Sequence, residues 1–185
     1  LVGSEMCIRD SYNWIMFTYI GKVANEDIKI WSYIKESRIY GFPEISSYVY
    51  LKLMRKSQYE KYFKDKNITV MGIGLLGRGV GDIKLLASCG ANIIATDLKE
   101  QKKLEKSLRQ LKKFKNINYT LGKHLINDFR GRDMILKGAG VPLDSKLIIA
   151  AEQEDIPVHM SFGLVLDILK KENINVTVIG ITGSK

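Results

Sequence analysis

The sequence is poor in the side chains that build disulfide frameworks and metal centres. It contains two cysteines and two histidines among 185 residues. Cys7 and Cys89 are too few for a disulfide framework, and the two histidines, His124 and His159, have no neighbouring Cys, His or carboxylate cluster at ligand spacing. We therefore predict no metal site, structural or surface roles for both histidines, and a reducing, cytoplasmic environment.

Long apolar runs are also missing. The longest candidate, residues 14–20, is shorter than the roughly 20 residues needed to span a bilayer, and no signal peptide precedes it. The sequence thus predicts no membrane span. Acidic residues are fewer than basic ones, which gives a net charge of +9. Much of this excess surrounds leucines within residues 99–115, so we interpret it as the solvated face of an amphipathic helix and predict no nucleic-acid binding.

The first 65 residues divide into two parts. Residues 1–11 lack apolar periodicity and are interpreted as a non-native tag or assembly artefact. Residues 12–65 are rich in aromatic residues, and their spacing predicts a short helical extension with two helices. The supporting positions are the cap Asn25, the face Ile28, Trp31 and Ile34, the break at Gly41 to Pro43, and the second face Ile45, Val49 and Leu53. A packing appendage, an exposed interface and a badly joined piece of another reading frame are all open as roles for this extension, and a DNA-binding pair is the less favoured alternative.

Residues 66–175 alternate between short apolar strands and helices. This alternation predicts an α/β fold, a Rossmann-like parallel sheet with helices on both faces. The predicted strands are residues 68–71, 92–95, 117–121, 134–136 and 157–159. A further strand at residues 176–181 opens the segment 176–185, which we interpret as the start of a second domain.

A glycine-rich turn follows the first predicted strand of the α/β domain. Gly72, Gly74 and Gly77 would between them permit a tight turn, the approach of a ligand and close packing of the next helix. Free N–H groups and the helix dipole favour phosphate there. Asp97 ends the next strand at the distance typical of a ribose-binding carboxylate. The pattern indicates a nucleotide ligand and fits a nucleotide-sugar or a dinucleotide cofactor equally well.

The end of the sequence looks like the opening of a phosphate-binding loop. Gly180, Thr182, Gly183, Ser184 and Lys185 follow a β-branched strand, as the glycines that wrap phosphate do in ATP-binding loops. In such a loop the lysine that grips phosphate would come after these residues. We therefore interpret them as a partial ATP loop, with Lys185 as a loop residue, and expect no productive binding of ATP and Mg²⁺ to this chain alone.

Four motifs occur in one order after the glycine turn. They are Leu121-Gly122-Lys123-His124, the segment 133–145, Ile156-Pro157-Val158 and the segment 180–185. Together with the glycine turn they resemble the N-terminal domain of the Mur ligases over roughly residues 66–185. The resemblance implies a domain that binds UDP-N-acetylmuramoyl-L-alanine within a cytoplasmic ligase of peptidoglycan synthesis. The intact ligase would use ATP and Mg²⁺ and would add D-glutamate.

The resemblance also implies which residues meet the substrate. Asp97 would meet the uracil or ribose, and Gly140 would pass close to the nucleotide. Three family features are replaced in this sequence, a turn threonine by Leu76, Thr-Arg by Leu98-Lys99, and Ser-Pro-Gly by Gly138-Ala139-Gly140. Lys99 still offers a cation to phosphate. The implied substrate-binding set is Gly72, Gly74, Leu75, Leu76, Gly77, Asp97, Leu98, Lys99 and Gly140.

One alternative explains the same glycine turn. A nicotinamide-binding Rossmann domain of a dehydrogenase or regulatory protein would also need the turn and Asp97, but it has no need of a second phosphate loop at residues 180–185. On the preferred interpretation, the chain by itself binds the UDP-sugar and does not carry out ligation.

Overall fold

Residues 13–23, 26–34, 56–75, 77–174 and 176–184 are described by the computed structural model, and side chains are described for residues 56–75 and 77–174. In chain order the elements are β1 (Asn13–Val23), β2 (Glu26–Ile34), α1 (Lys56–Tyr59), a 3-10 turn (Glu60–Tyr62), β3 (Asn67–Met71), α2 (Arg78–Ser88), β4 (Asn92–Asp97), α3 (Gln101–Leu111), β5 (Ile117–Leu121), a second 3-10 turn (Ile126–Phe129), β6 (Met134–Lys137), α4 (Lys146–Gln153), β7 (Val158–His159), α5 (Ser161–Lys171) and β8 (Val176–Ser184). They form two compact units. One contains the three-stranded sheet β2-β1-β8, and the other contains the remaining elements.

The larger unit confirms the predicted α/β fold. Its five strands are all parallel and lie in the order β5-β4-β3-β6-β7. Central strand β3 is buried on both faces, with Ile68, Thr69 and Val70 at most 2% exposed, which explains its continuous apolar character. The chain continues from β3 to β4 on one side and later enters β6 on the other. The carboxyl ends of β3 and β6 therefore flank the switch point, where open α/β sheets bind ligands.

Helix α3 is the amphipathic helix that the basic segment predicted. Leu104 and Leu111 are fully buried, whereas Lys102, Lys103 and Lys106 are exposed. The lysines of this helix thus form a solvated face. None of the helices in the described part of the chain combines the length and apolarity that a membrane crossing needs.

A cluster of buried apolar residues around the second 3-10 turn packs against the sheet. Phe129, Ile135 and Ile148 are fully buried and pack together with Met71 at the end of β3. Burying side chains of this size contributes about 1.5–3 kcal/mol each. The Thr69 hydroxyl donates to the carbonyl oxygen of Asp128, which attaches the turn to the middle of the sheet. The carboxyl edge of β3 and β6 is therefore supported by a packed layer.

The predicted first helix of the extension is wrong. The structure has two antiparallel strands there, β1 and β2, and β1 also pairs antiparallel with β8. The spacing of Ile28, Trp31 and Ile34 fits a helix, but Ile28, Ile30 and Ile34 also lie on one side of a strand of period two. Aromatic and β-branched residues favour a pleated sheet, so the strand is preferred. Residues 1–11, Asn25 and the predicted second helix with Ile45, Val49 and Leu53 lie outside the described residues.

The 3-10 turn at residues 60–62 is in contact with the end of α5. The Tyr62 hydroxyl donates to Glu172 Oε1 at 2.6 Å, and Lys61 Nζ lies 2.7 Å from the same oxygen. The hydrogen bonds from Lys61 and Tyr62 lower the pKa of the Glu172 carboxyl. One carboxylate thus joins the 3-10 turn at residues 60–62 to the end of α5.

We expect this contact to weaken in acid. Because the pKa of Glu172 is lowered by folding, its stabilising contribution is present above the ordinary glutamate pKa of about 4.3. The contribution is lost as the pH falls through the lowered folded value. The difference in thermal midpoint between the wild-type chain and Glu172→Gln should be constant near neutral pH. It should disappear as the pH falls through the lowered pKa of Glu172. Glu105→Gln, which removes the exposed partner of Arg109, is the control, and an equal pH dependence for it would contradict the prediction.

Candidate functional site

The glycine turn lies at the carboxyl end of β3, next to the switch point of the sheet. Gly72, Gly74 and Gly77 have φ angles of +104°, +68° and +85°, which residues with a side chain rarely adopt. Gly77 is the N-cap of α2. The turn therefore requires glycine at these positions, and it leads directly into a helix N-terminus, an environment that favours anions.

Close packing of α2 against the turn depends on a fourth glycine, Gly79. A Cβ atom at Gly79 would lie 2.3 Å from the carbonyl oxygen of Gly72 and 2.5 Å from that of Ile73. Sequence reasoning missed Gly79 because it lies outside the three-glycine pattern. The available signal was a further glycine inside a helix, where it costs about 1 kcal/mol relative to alanine and so needs a packing reason.

Asp97, at the end of β4, holds the turn with its carboxylate. Oδ2 accepts a hydrogen bond from the backbone N–H of Gly74 at 2.9 Å, and Oδ1 accepts one from the N–H of Lys99 at 2.8 Å. Asp97 is 4% exposed, and hydrogen bonds to a charged group are stronger than neutral ones. Each carboxylate oxygen has two lone pairs, so Asp97 retains capacity to accept a bond from a ligand hydroxyl.

The side chains next to Asp97 and the glycine turn are exposed. Lys99 Nζ lies 3.9 Å from Asp97 Oδ1, and the Lys99 side chain is 44% exposed. Leu75 and Leu98 are 57% and 67% exposed. The hydrogen bond between Gly74 and Asp97 brings these chain segments together. The arrangement offers an apolar surface for a base and a cation for a phosphate.

A second turn at the switch point follows β6. The Gly138 N–H donates to the carbonyl oxygen of Met71 at 2.9 Å, which ties the end of β6 to the end of β3. Lys137 is 2% exposed, and its Nζ donates to the Val141 carbonyl at 3.2 Å. A buried ammonium therefore supports this turn. A Cβ atom at Gly140 would have nothing within 4 Å, so the space around it is open.

His124 lies near the same edge and is tied to the sheet. Its Nδ1 is 2.7 Å from the Thr96 hydroxyl oxygen, and its ring packs edge-on against Phe129. Burial lowers the pKa of His124, and the charges of Asp97 and Asp128 act in the opposite direction. These contacts are those of a structural histidine. In residues 56–75 and 77–174, no three His, Cys, Asp or Glu side chains are arranged to hold a metal ion.

Two other residues singled out in the sequence lie in ordinary structural settings. His159 Nδ1 is 3.5 Å from Asp167 Oδ2. Cys89 is buried at the end of α2, and burial raises the pKa of its thiol to about 11. A thiol with this pKa is protonated at neutral pH and unreactive.

The residues predicted to open an ATP loop lie in strand β8. Gly180, Thr182, Gly183 and Ser184 pair antiparallel with residues 13–17 of β1, in the smaller unit. Lys185 and, in the glycine turn, Leu76 lie outside the described residues. A role for residues 180–185 in ATP binding stays a prediction.

Two cavities lie away from the glycine turn. One, of about 360 Å³, lies between α3 and β5, and another, of about 320 Å³, lies at the amino edge of the sheet. The first is lined by Gln101, Glu105, Leu108, Arg109, Lys112, Tyr119 and Leu121. The candidate site is thus defined by the backbone of two turns rather than by either of these cavities.

Comparisons with known proteins point to one group of enzymes. The chain is 37% identical over 102 residues to the UDP-N-acetylmuramoylalanine–D-glutamate ligase of Borreliella burgdorferi strain ZS7, which covers 54% of the chain and 23% of that relative. It is 36% identical over 119 residues to the same enzyme of Clostridioides difficile, covering 64% of the chain and 25% of the relative. The chain thus matches about a quarter of the length of these relatives. No protein-family model matches it.

Solved structures with similar backbones include two of shikimate dehydrogenases. The enzyme from Aquifex aeolicus aligns with 69% of this chain and 55% of its own at 12% identity, with a TM-score of 0.40. A chorismate mutase/shikimate 5-dehydrogenase fusion protein from Clostridium acetobutylicum aligns with 69% of this chain and 53% of its own at 14% identity, also with a TM-score of 0.40. The fold assignment rests on the sheet topology described above.

A parallel five-stranded sheet with a glycine turn at its switch point defines the larger unit as a Rossmann-like α/β domain. Over about half of its length, the chain is related in sequence to the Mur ligases.

Proposed function

We propose that the chain is the UDP-sugar-binding part of an ATP-dependent ligase that adds D-glutamate to UDP-N-acetylmuramoyl-L-alanine in peptidoglycan synthesis. The names of the related enzymes support this substrate pair. The observation that carries the proposal is the glycine turn, which Asp97 holds in place at the switch point through the 2.9 Å bond to Gly74. Such a turn gives a diphosphate backbone N–H groups and a helix N-terminus.

The proposed roles follow from exposure and charge. Leu75 and Leu98 would cover the uracil, and the Lys99 ammonium would pair with a phosphate oxygen. Asp97 would accept a bond from the ribose or uracil with the lone pairs that the backbone leaves free. The open space around Gly140 would admit the nucleotide. Gly72, Gly74, Leu76 and Gly77 complete the proposed substrate-binding set.

ATP and Mg²⁺ are proposed only for the intact ligase, where they would activate the substrate carboxylate. Gly180 to Ser184 lie in the edge strand β8, which pairs with β1 on one side, and their part in an ATP loop is proposed for the intact ligase. The cytoplasm is the proposed compartment, since nucleotide-sugar and ATP are both present there.

Isothermal calorimetry on the 185-residue chain tests the proposal. We expect UDP-N-acetylmuramoyl-L-alanine and UDP to bind more tightly than NAD. Lys99→Ala should weaken UDP binding about tenfold, because a charge-assisted hydrogen bond contributes about 1.5 kcal/mol. Lys112→Ala, an exposed lysine just after α3, is the control and should leave the affinity unchanged. Tighter binding of NAD would instead favour a dehydrogenase-type or regulatory domain.

A further inference from the structure

We propose that Ser107, on helix α3, is a positioning residue that aims the ligand-facing part of the glycine turn. Ser107 is 4% exposed, and its hydroxyl donates to the carbonyl oxygen of Gly74 at 2.9 Å. The N–H of the same Gly74 donates to Asp97 Oδ2. Both polar backbone atoms of Gly74 are therefore fixed, one by β4 and one by α3.

Fixing these two atoms sets the orientation of the peptide groups on either side of Gly74. The described residues contain no cis peptide bond, and in a trans peptide the C=O and the following N–H point in opposite directions. Because the Gly74 carbonyl points to Ser107, the N–H of Leu75 points away from α3. Ser107 thus turns the Leu75 N–H outward, where it can donate to a ligand. The Gly74 N–H is already bonded to Asp97 and does not donate to the ligand.

Glycine makes this clamp necessary. Gly74 has a φ of +68°, and a Cβ atom there would meet nothing within 4 Å, so packing alone does not hold it. Glycine has the widest conformational freedom of any residue. The bonds to Asp97 and Ser107 replace the missing steric restriction, and the turn is arranged for an anion before the anion arrives. Preorganisation of this kind raises affinity by removing the cost of ordering on binding.

The role of Ser107 depends on the proposed function only for the identity of the ligand, a nucleoside diphosphate. The predicted effect on the free chain is independent of any ligand. In Ser107→Ala, amide hydrogen exchange at Gly74, whose N–H is bonded to Asp97, should become about fivefold faster by NMR, while exchange in β4 stays unchanged. UDP affinity measured by calorimetry should fall about fivefold, the effect of losing one neutral hydrogen bond.

Two further variants separate positioning from general stability. Ser88→Ala removes another hydroxyl-to-carbonyl bond, to Leu85 at 2.7 Å, at the far end of α2. Ser88 is exposed, so this variant should shift the thermal midpoint less than Ser107→Ala does, and it should leave UDP affinity and turn exchange unchanged. Ser107→Thr keeps the hydroxyl and should restore slow exchange at Gly74.

The outcomes distinguish the two proposals. Unchanged exchange at Gly74 in Ser107→Ala, or an equal loss of UDP affinity in Ser88→Ala, would overturn the role of Ser107. If the wild-type chain binds neither UDP nor UDP-N-acetylmuramoyl-L-alanine, the proposed function fails, and the exchange measurement on the free chain still decides the role of Ser107.

Discussion

Replacing Gly79 with alanine should be among the most destabilising single changes in the larger unit. The new Cβ atom would lie 2.3 Å from the Gly72 carbonyl oxygen and 2.5 Å from that of Ile73. Both obstacles are backbone atoms, so no side chain can rotate out of the way. Helix α2 would have to move from the turn, at a cost on the order of 3 kcal/mol or more, in the upper range for overpacked sites. Chemical denaturation followed by circular dichroism measures this loss.

Gly140→Ala is the matched control for Gly79→Ala. A Cβ atom at Gly140 meets nothing within 4 Å, and Gly140 is not among the glycines with positive φ. Its replacement should leave the free energy of unfolding unchanged or raise it slightly, by about 0.4–1 kcal/mol, through the unfolded state. Equal unfolding free energies for the two variants would show that α2 does not press on the turn as described.

Replacing Asp97 with alanine should reduce both stability and ligand affinity. The change leaves the N–H groups of Gly74 and Lys99 without their acceptor, and a hydrogen bond to a charged group contributes about 1.5–3 kcal/mol. The two bonds are neighbours and not independent, so we expect a total loss of about 3 kcal/mol. UDP binding should become too weak to measure at concentrations that saturate the wild-type chain. Asp97→Asn should have an intermediate effect, because one carboxylate acceptor is replaced by a donor.

Asp133→Ala provides the comparison for Asp97. Asp133 accepts bonds from the backbone N–H of Asn67 at 2.8 Å and from Lys66 at 2.8 Å, at the amino end of β3. Its side chain is 32% exposed, so water replaces the lost bonds more readily. We expect a smaller loss of stability and unchanged UDP affinity. A weaker effect of Asp97→Ala than of Asp133→Ala would contradict the assigned role of Asp97 in the turn.

The sequence was sufficient for the parts of the fold that rest on local patterns. The short apolar strands around Ile68 and Ile93 predicted the parallel sheet, because a strand covered by helices on both faces has a continuous apolar run, as β3 does. The glycines at 72, 74 and 77 predicted a tight turn between a strand and a helix. Their positive φ angles show why glycine is used there. Asp97 was recognised from its place at the end of the second strand.

Features that depend on distant contacts were not predictable in the same way. Ser107 is a polar residue on the buried face of α3, which signals a hydrogen bond, but its partner Gly74 lies 33 residues earlier. The strand β2 was interpreted as a helix because nine residues satisfy two periods at once, and only pairing with β1 decides between them. The carboxylate of Asp97 was assigned to a ligand, whereas its bond to the Gly74 N–H required the folded backbone.

The carboxylate of Glu172 has a consequence for how the larger unit bears load. Lys61 and Tyr62 meet Glu172 within 2.7 Å, so residues 60–62 and the end of α5 are held side by side. We therefore expect a force applied between these two segments to act on this contact before it reaches the hydrogen-bonded strands. Under such a load the contact should break first, while the sheet and its glycine turn keep their arrangement.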